Sequence, residues 1–409
     1  MPNKERHLFY IGGYLDEETA KERRIPARNA AGSNRMLRVS NALVCGGYLP
    51  TIISPGVTFR SGGFYCLNFK ENIKFTSGVR IIFCPSLGIK YFSALFAWAM
   101  IIRTIRSCNM HGEREKSPLA IIYNYNPTLA IVALYLKYFL GFTIIHNIEE
   151  LTRPQMPDFL ASKIIGTGVA KDFLYSFCCK LITSLSSKII TPATRFLTSK
   201  SQVLRAEVVT GCFDGQYLAE VDREATQGIL NILLSGKISN EHGASLLFDT
   251  LDLLDPKVGH GTIVVNICGH GDQLQAVVSR SKGLRNIEVV VHGFISDESY
   301  RSLLRTSNIC LALQSPLDRF ANTHTPSKTY EFLGSGKTVI ASNVGDLHLL
   351  PRQVIFICDP YSADKLADLI RNLLENPDLI QEYSKSAKIY AAEHFSYESV
   401  GAKLRTLIG

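Results

Sequence analysis

The chain of 409 residues has no Cys-x-x-Cys pair, although it contains ten cysteines. Neither a metal knuckle nor a redox pair of that spacing is therefore available. Most cysteines sit in apolar runs such as Ile81-Ile82-Phe83-Cys84 and Ile309-Cys310-Leu311. A free thiol packs there as a small hydrophobe, and the scatter fits a reducing cytoplasm. The charged N-terminus has no apolar h-region and does not read as a secretory signal. Long hydrophobic runs are missing too. Ser93–Ile102 stops at Arg103 and Arg106, and Leu119–Ile145 is broken by Asn124, Asn126, Pro127 and Lys137. Both read as strand, turn and buried helix rather than a membrane span. His-Glu-x-x-His, Walker A and Gly-x-Ser-x-Gly motifs are absent, as are solenoid repeats and low-complexity tracts.

What is present describes an ordinary globular protein, 46% hydrophobic and 20% charged. It is too long for one core, so two domains are expected. Charge is uneven. Residues 1–212 carry 26 Lys and Arg against 13 Asp and Glu (+13), and the rest 18 against 23 (−5), which together give the net +8. A basic first half implies an anionic partner: a phosphorylated substrate, an anionic membrane surface or nucleic acid.

Short β-branched runs alternate with helical patterns throughout. Strands are expected at Leu8–Ile11, Thr51–Ile53, Ile81–Cys84, Leu119–Tyr123, Thr143–His146, Lys188–Thr191 and Glu207–Val209. In the second half they fall at Leu230–Leu234, Thr262–Ile267, Ile287–Val291, Ile309–Leu313, Thr338–Ala341 and Val354–Ile357. Phe59–Ser77 has no clear pattern, Asp214–Gly228 reads as a linker, and Leu379–Ile408 as a final helical segment. Continuous apolar strands between helices imply parallel sheets covered on both faces, hence two doubly wound α/β domains. The expected boundaries are 1–212, 213–390 and a C-terminal helix, 391–409, packing back on the first domain. Ligands belong at the carboxyl ends of such strands, in a cleft between the two domains.

The most informative string runs Thr325-Pro326-Ser327-Lys328-Thr329-Tyr330-Glu331. Thr325 is a good N-cap and Pro326 suits the first helical position. The N–H groups of Ser327, Lys328 and Thr329 then form an anion site at the helix start. A cation at Lys328 opposes the helix dipole unless a diphosphate supplies negative charge. Glu331 lies on the same face, with two oxygens for a pair of ribose hydroxyls. An ordinary amphipathic helix with a surface Lys–Glu pair is the structural alternative.

Continued through Gly334, Gly336, Val339, Ile340 and Ala341, this string resembles the "p-S-K-x-x-E … G-k-p-V-I-a" block of retaining GT-B glycosyltransferases, family 4. The resemblance implies that Lys328 and Glu331 contact the diphosphate and ribose of a nucleotide-sugar donor, with Ser327 and Thr329 lending donors. It departs at Thr323, where the family often has an earlier Glu, but Asn322 and Pro326 fit a sub-group written "N-x-x-x-P-S-K". Gly236-Lys237, followed by His242-Gly243, is similar to "G-R-l-x-x-x-K-G", with Lys237 and His242 replacing the stronger phosphate clamp. Gly269 lies in a "G-x-G" after the next strand. Gly293-Phe294 resembles the base-holding turn, and Phe294 reads equally well as core. In the first half, His146 matches a "v-x-x-x-H-d" position that would touch the donor sugar, against the alternative of a satisfied buried His. Glu149 and Glu150 are candidate acceptor-side bases. The basic stretch Lys21–Arg38, with Gly32 and Arg35, resembles the family's flexible loop beside the acceptor and β-phosphate. No Asp-x-Asp pair occurs, so no metal site and no cofactor is expected.

The resemblance implies a GT-B fold and transfer of a hexose-type sugar from a nucleotide diphosphate donor to a glycan or polyprenyl-diphosphate-linked acceptor. Surface-polysaccharide or lipopolysaccharide synthesis at the inner face of the plasma membrane is implied, with a peripheral, cytoplasmic protein and no nucleic acid partner. Two other readings share the sequence features. One is a nucleotide-sugar 2-epimerase or hydrolase on the same fold; the other is a non-catalytic binding subunit, which Thr323, Lys237 and His242 permit.

Overall fold

A computed structural model describes residues 6–23, 30–55, 72–85, 92–110, 117–149, 165–197, 199–214, 228–317, 321 and 326–409. The chain divides into two compact units, 1–212 with 397–409, and 213–396.

The first unit contains β1 (Arg6–Ile11), α1 (Glu17–Glu22), α2 (Ala30–Cys45), β2 (Tyr48–Ser54), β3 (Asn72–Thr76), β4 (Val79–Phe83) and α3 (Phe92–Met110). It continues with β5 (Leu119–Tyr123), α4 (Pro127–Leu140), β6 (Thr143–Asn147), α5 (Ile165–Leu185), β7 (Lys188–Thr191), α6 (Lys200–Val203) and β8 (Ala206–Val208). Its sheet has the order β3-β4-β2-β1-β5-β6-β7-β8, parallel except for the antiparallel edge strand β3. Local chemistry sets the boundaries. The Asn126 side chain accepts from the Leu129 N–H at 2.9 Å, Pro127 opens α4, and Gly141 closes it in the left-handed conformation. One sheet face packs on Met36, Val39 and Leu43 of α2. The other packs on Ile101 and Ile105 of α3, Val132 and Leu136 of α4, and Ile182 of α5.

The second unit contains β9 (Leu230–Lys237), α7 (Ala244–Leu254), β10 (Ile263–His270), α8 (Leu274–Ser281), β11 (Glu288–Gly293), α9 (Asp297–Thr306) and β12 (Ile309–Ala312). Then come α10 (Ser327–Gly334), β13 (Thr338–Ser342), β14 (Phe356–Cys358), α11 (Ala363–Glu375) and α12 (Pro377–Phe395). All six strands are parallel, in the order β11-β10-β9-β12-β13-β14. Strand order reverses between β9 and β12, which makes the carboxyl end of β9 the natural ligand position.

Several expectations change. The pattern of Leu379–Ile408 is two helices, broken where Ser396 adopts ψ 155°; α13 (Tyr397–Ile408) packs Val400, Leu404 and Leu407 into the core of the first unit. α2 begins at Ala30, so Gly32 and Arg35 of the basic stretch are helical rather than part of a loop. Within the patternless stretch, Asn72–Thr76 forms β3. The linker lies almost entirely outside the described residues.

Asp255, just after α7, anchors the second unit. Its carboxylate accepts from the N–H groups of Arg285, Asn286 and Ile287 at 2.7–3.1 Å. Desolvation pushes this carboxyl up, but the three N–H groups and the Arg285 charge outweigh it and hold it below 3.8. Asp255→Ala strands three donors and is expected to cost about 3 kcal/mol at pH 7, measured by urea unfolding. The depressed pKa sets the sign. The contribution is full above pH ~4 and disappears as pH falls through the folded value, so the gap between the two proteins narrows in acid. An unchanged midpoint at pH 7 would leave the carboxylate without a structural role.

Candidate functional site

In the second unit the strand register places the expected residues side by side. Gly236 and Lys237 at the end of β9 lie opposite Gly269 and His270 of β10, and Cys268 lies opposite Gly293 of β11. Gly236 has φ +116° and open space where a Cβ would stand. Gly269 has φ +140°, and a Cβ there would lie 1.8 Å from the Gly236 carbonyl oxygen. Only glycine allows the two strand ends to run this close. Phe294 is 84% exposed, so it is not core, and its ring meets His270 edge-on at 6.0 Å. The His292 Nε2 and Asn266 Oδ1 lie 2.8 Å apart beneath this edge.

Helix α10 begins at Ser327, one residue later than expected, with Pro326 in the capping position. Thr325 lies outside the described residues, as does Glu150. The Thr329 N–H donates to the Pro326 carbonyl at 2.9 Å, and its side chain is fully buried. Thr329 turns inward with Tyr330 and Phe332, and its buried hydroxyl has no hydrogen-bond partner among the described residues. Ser327 and Lys328 stand in the first turn of α10, where helix N–H groups characteristically lack an intrahelical acceptor. The Lys328 ammonium is 3.1 Å from Glu331 Oε2, donates to the Tyr300 hydroxyl at 3.1 Å, and sits 4.3 Å from the Tyr300 ring centroid. Tyr300, on α9, had no sequence signal; a cation–π seat is a tertiary event.

Lys328 and Glu331 belong to the same strand-end region. Burial pushes the Cys268 thiol up to about 11, with the Lys328 charge lowering it and the Glu331 charge raising it. Lys237 faces Glu241 at 3.4 Å with both side chains exposed, a weak pair that an anion can replace. The His242 Nδ1 is 2.8 Å from the Ser239 hydroxyl in a single turn ahead of α7. Lys337 is buried and donates to the carbonyls of Arg305 and Ser307, closing the end of α9.

In the first unit the side chains of β6 divide by alternation. His146 points into the helix layer and is fully buried. Its Nε2 lies 3.0 Å from the Asn124 carbonyl and its Nδ1 2.9 Å from the Thr183 hydroxyl of α5. Burial drives its pKa down to about 4, against the raising contact with Asn124, so it is neutral at pH 7. His146 is thus buried with both ring nitrogens engaged, the arrangement of a satisfied buried histidine.

Asn147, one residue on, faces the opposite side. It accepts from Tyr10 Oη and donates to Glu149 Oε1 at 2.8 Å. Arg35 Nε donates to the same Oε1 at 2.9 Å, and its other arm reaches the Val209 carbonyl. Burial opposes the Arg35 charge, but Glu149 more than compensates and raises its pKa. The Glu149 N–H donates to Asn124 Oδ1 at 2.8 Å, with Asn124 held at φ 56°. Among the described residues, both hydrogen bonds to the Glu149 carboxylate fall on Oε1. Gly32 sits half-buried one turn before Arg35. Within the basic stretch, Arg23 is buried against the Phe83 and Cys84 carbonyls, while Lys21 and Glu17 form an exposed pair. Among the described residues no group of three or more His, Cys, Asp or Glu could hold a metal.

Comparison with known proteins gives the class. Residues 224–390 match the family described as Glycosyl transferases group 1. No curated protein matches the chain by sequence. Among solved structures, sucrose-phosphate synthase from Thermosynechococcus elongatus superposes with a TM-score of 0.65 at 14% identity, over 99% of this chain and 98% of that one. HepE from Anabaena, in complex with UDP and glucose, gives 0.62 at 12% identity over 99% of both chains. WaaG, a glycosyltransferase involved in lipopolysaccharide biosynthesis, gives 0.59 at 12% identity over 98% of this chain and 99% of that one. The fold is thus GT-B, with two Rossmann-like units on parallel sheets. Its second unit carries a glycosyl transferases group 1 domain.

Proposed function

We propose that the protein is a glycosyltransferase that binds a nucleotide diphosphate sugar on the second unit and transfers the sugar, with retention, to an acceptor hydroxyl. The observation that carries this reading is the Tyr300–Lys328–Glu331 cluster at the start of α10, beside the glycine-built ends of β9 and β10. The Ser327 and Lys328 N–H groups and the Lys328 ammonium would receive the diphosphate. Glu331 would then exchange Lys328 for the ribose hydroxyls. Phe294 and His270 offer an exposed ring surface for the base. In the first unit, Glu149 is the acceptor-side candidate, with Arg35 and Asn147 fixing Oε1 and leaving Oε2 to meet the acceptor hydroxyl.

The acceptor we favour is a lipid-linked glycan in surface-polysaccharide synthesis, supported by the +13 balance of residues 1–212 and by the likeness to WaaG. Peripheral attachment to the inner face of the plasma membrane follows from that acceptor. Among the described residues no helix is long and apolar enough to cross a membrane.

Thermal shift with nucleoside diphosphates, without added metal, tests the donor site. UDP or GDP at a hundred times its Kd is expected to stabilise the protein by about 2.7 kcal/mol. No shift with any of them at millimolar concentration would remove the nucleotide from the assignment.

A further inference from the structure

Helices α3, α4 and α5 lie side by side on one face of the first unit's sheet, and their outer surface is aromatic. On α4, Tyr138 and Phe139 are exposed; on α5, Phe173, Leu174 and Phe177; on α3, Leu95. Phe139 and Phe173 are each about three-quarters exposed, at 75% and 74%. Tyr135 stacks on Phe139 with centroids 5.1 Å apart, and Trp98 meets Tyr135 edge-on at 6.4 Å, so these rings join α3 to α4. These are not core residues out of register. The inner faces of the same helices are already filled by Leu129, Val132, Leu136, Cys178 and Ile182. Exposed apolar residues scattered singly need no explanation, but a set of aromatics on adjacent helices marks a contact surface.

Charge identifies what it contacts. The three helices carry Arg103, Arg106, Lys137, Lys171 and Lys180 against Asp172 alone, five cations to one anion, or +4. Arg103, Arg106 and Lys180 are exposed. The Arg106 guanidinium lies 5.4 Å from the Tyr135 ring centroid, so cations border the aromatic surface directly. A two-fold contact with a second copy would set these cations against one another. Aromatic rings bordered by Lys and Arg are instead the chemistry of a bilayer interface with anionic headgroups.

We infer that the outer face of α3, α4 and α5 docks the protein on an anionic bilayer surface, with Tyr138, Phe139, Phe173 and Phe177 entering the interface. This rests on the membrane-proximal acceptor proposed above and moves the attachment away from the basic stretch Lys21–Arg38, whose Arg23 and Arg35 are engaged internally.

Flotation of the full chain with phosphatidylcholine vesicles, with and without phosphatidylglycerol, at low and high salt tests the inference. The protein is expected to float with the anionic vesicles, to stay down with the neutral ones, and to be weakened by salt. Phe139→Ser with Phe177→Ser should lower the partition coefficient by about a hundredfold, since each buried aromatic contributes at least tenfold. Arg103→Glu with Arg106→Glu should lower it by at least roughly twenty-five-fold, about fivefold for each cation lost before the added repulsion of the two carboxylates. Absent or lipid-independent flotation, or unchanged binding by both double variants, would overturn the inference. So would sedimentation showing a dimer that the serine variant splits, which assigns the face to a second copy. Thermal shift with UDP and GDP on the same samples keeps the two readings apart. A retained shift without flotation removes only the docking face; flotation without a shift removes only the donor site.

Discussion

Glu331→Ala is expected to weaken donor binding about a hundredfold while leaving the fold intact. Its carboxylate is largely enclosed, with 14% of the side chain exposed, and its visible partner is Lys328 at 3.1 Å. A carboxylate accepting from two hydroxyls contributes about 1.5–3 kcal/mol per charge-assisted bond, and ten-fold in affinity corresponds to about 1.4 kcal/mol. Glu331→Gln keeps one acceptor oxygen and should lose roughly ten-fold. Stability should change by no more than about 1 kcal/mol, because the Lys328 side chain is 38% exposed and Tyr300 still holds its ammonium. Titration calorimetry with UDP and GDP, beside KM for a turned-over sugar nucleotide, reads the effect. Equal affinity in all three proteins would reduce Glu331 to the helix partner of Lys328, the structural alternative that the same geometry satisfies.

Much of the backbone framework around the candidate donor site was legible in sequence because it depends on local rules. A Pro-Ser-Lys helix start and glycines at strand ends act through the backbone, and the register of β9 with β10 follows from the alternation of strands and helices. Where the reading fell short, tertiary packing decided. Tyr300 reaches Lys328 across 28 residues, and Arg35 reaches Glu149 across 114. No window of sequence contains either pair. His146 and Asn147 differ by one position, so a motif match could not tell which faces the helix layer and which faces Tyr10. Pattern also hides breaks. α12 and α13 share one helical period, yet the extended Ser396 between them sends the last segment to the other unit. Charge counts also do not show that Arg23, within the basic stretch, is drawn inward by the Phe83 and Cys84 carbonyls.

Gly269→Ala is expected to be the most destabilising of the single-methyl changes at this site. The added Cβ would stand 1.8 Å from the Gly236 oxygen and 2.8 Å from its carbon, and both are backbone atoms of the paired strand. Rotamer adjustment gives no relief, so β9 and β10 must part at their carboxyl ends, and the φ of +140° adds strain for any L side chain. A cost of about 3–5 kcal/mol is expected, which lowers Tm by roughly 10 °C in a domain of this size. Gly236→Ala is the contrasting change. It shares a positive φ, +116°, but its Cβ meets nothing within 4 Å, so it should cost only about 1–2 kcal/mol. That methyl instead occupies the open space at the end of β9, where the proposed phosphate would approach the backbone. Its main effect should be on UDP or GDP affinity, down roughly ten-fold or more. Calorimetric melting and nucleotide titration of both variants separate strand packing from ligand contact. If Gly236→Ala bound nucleotide as well as the parent, the end of β9 would be a plain strand turn, and the phosphate would have to rest on α10 alone.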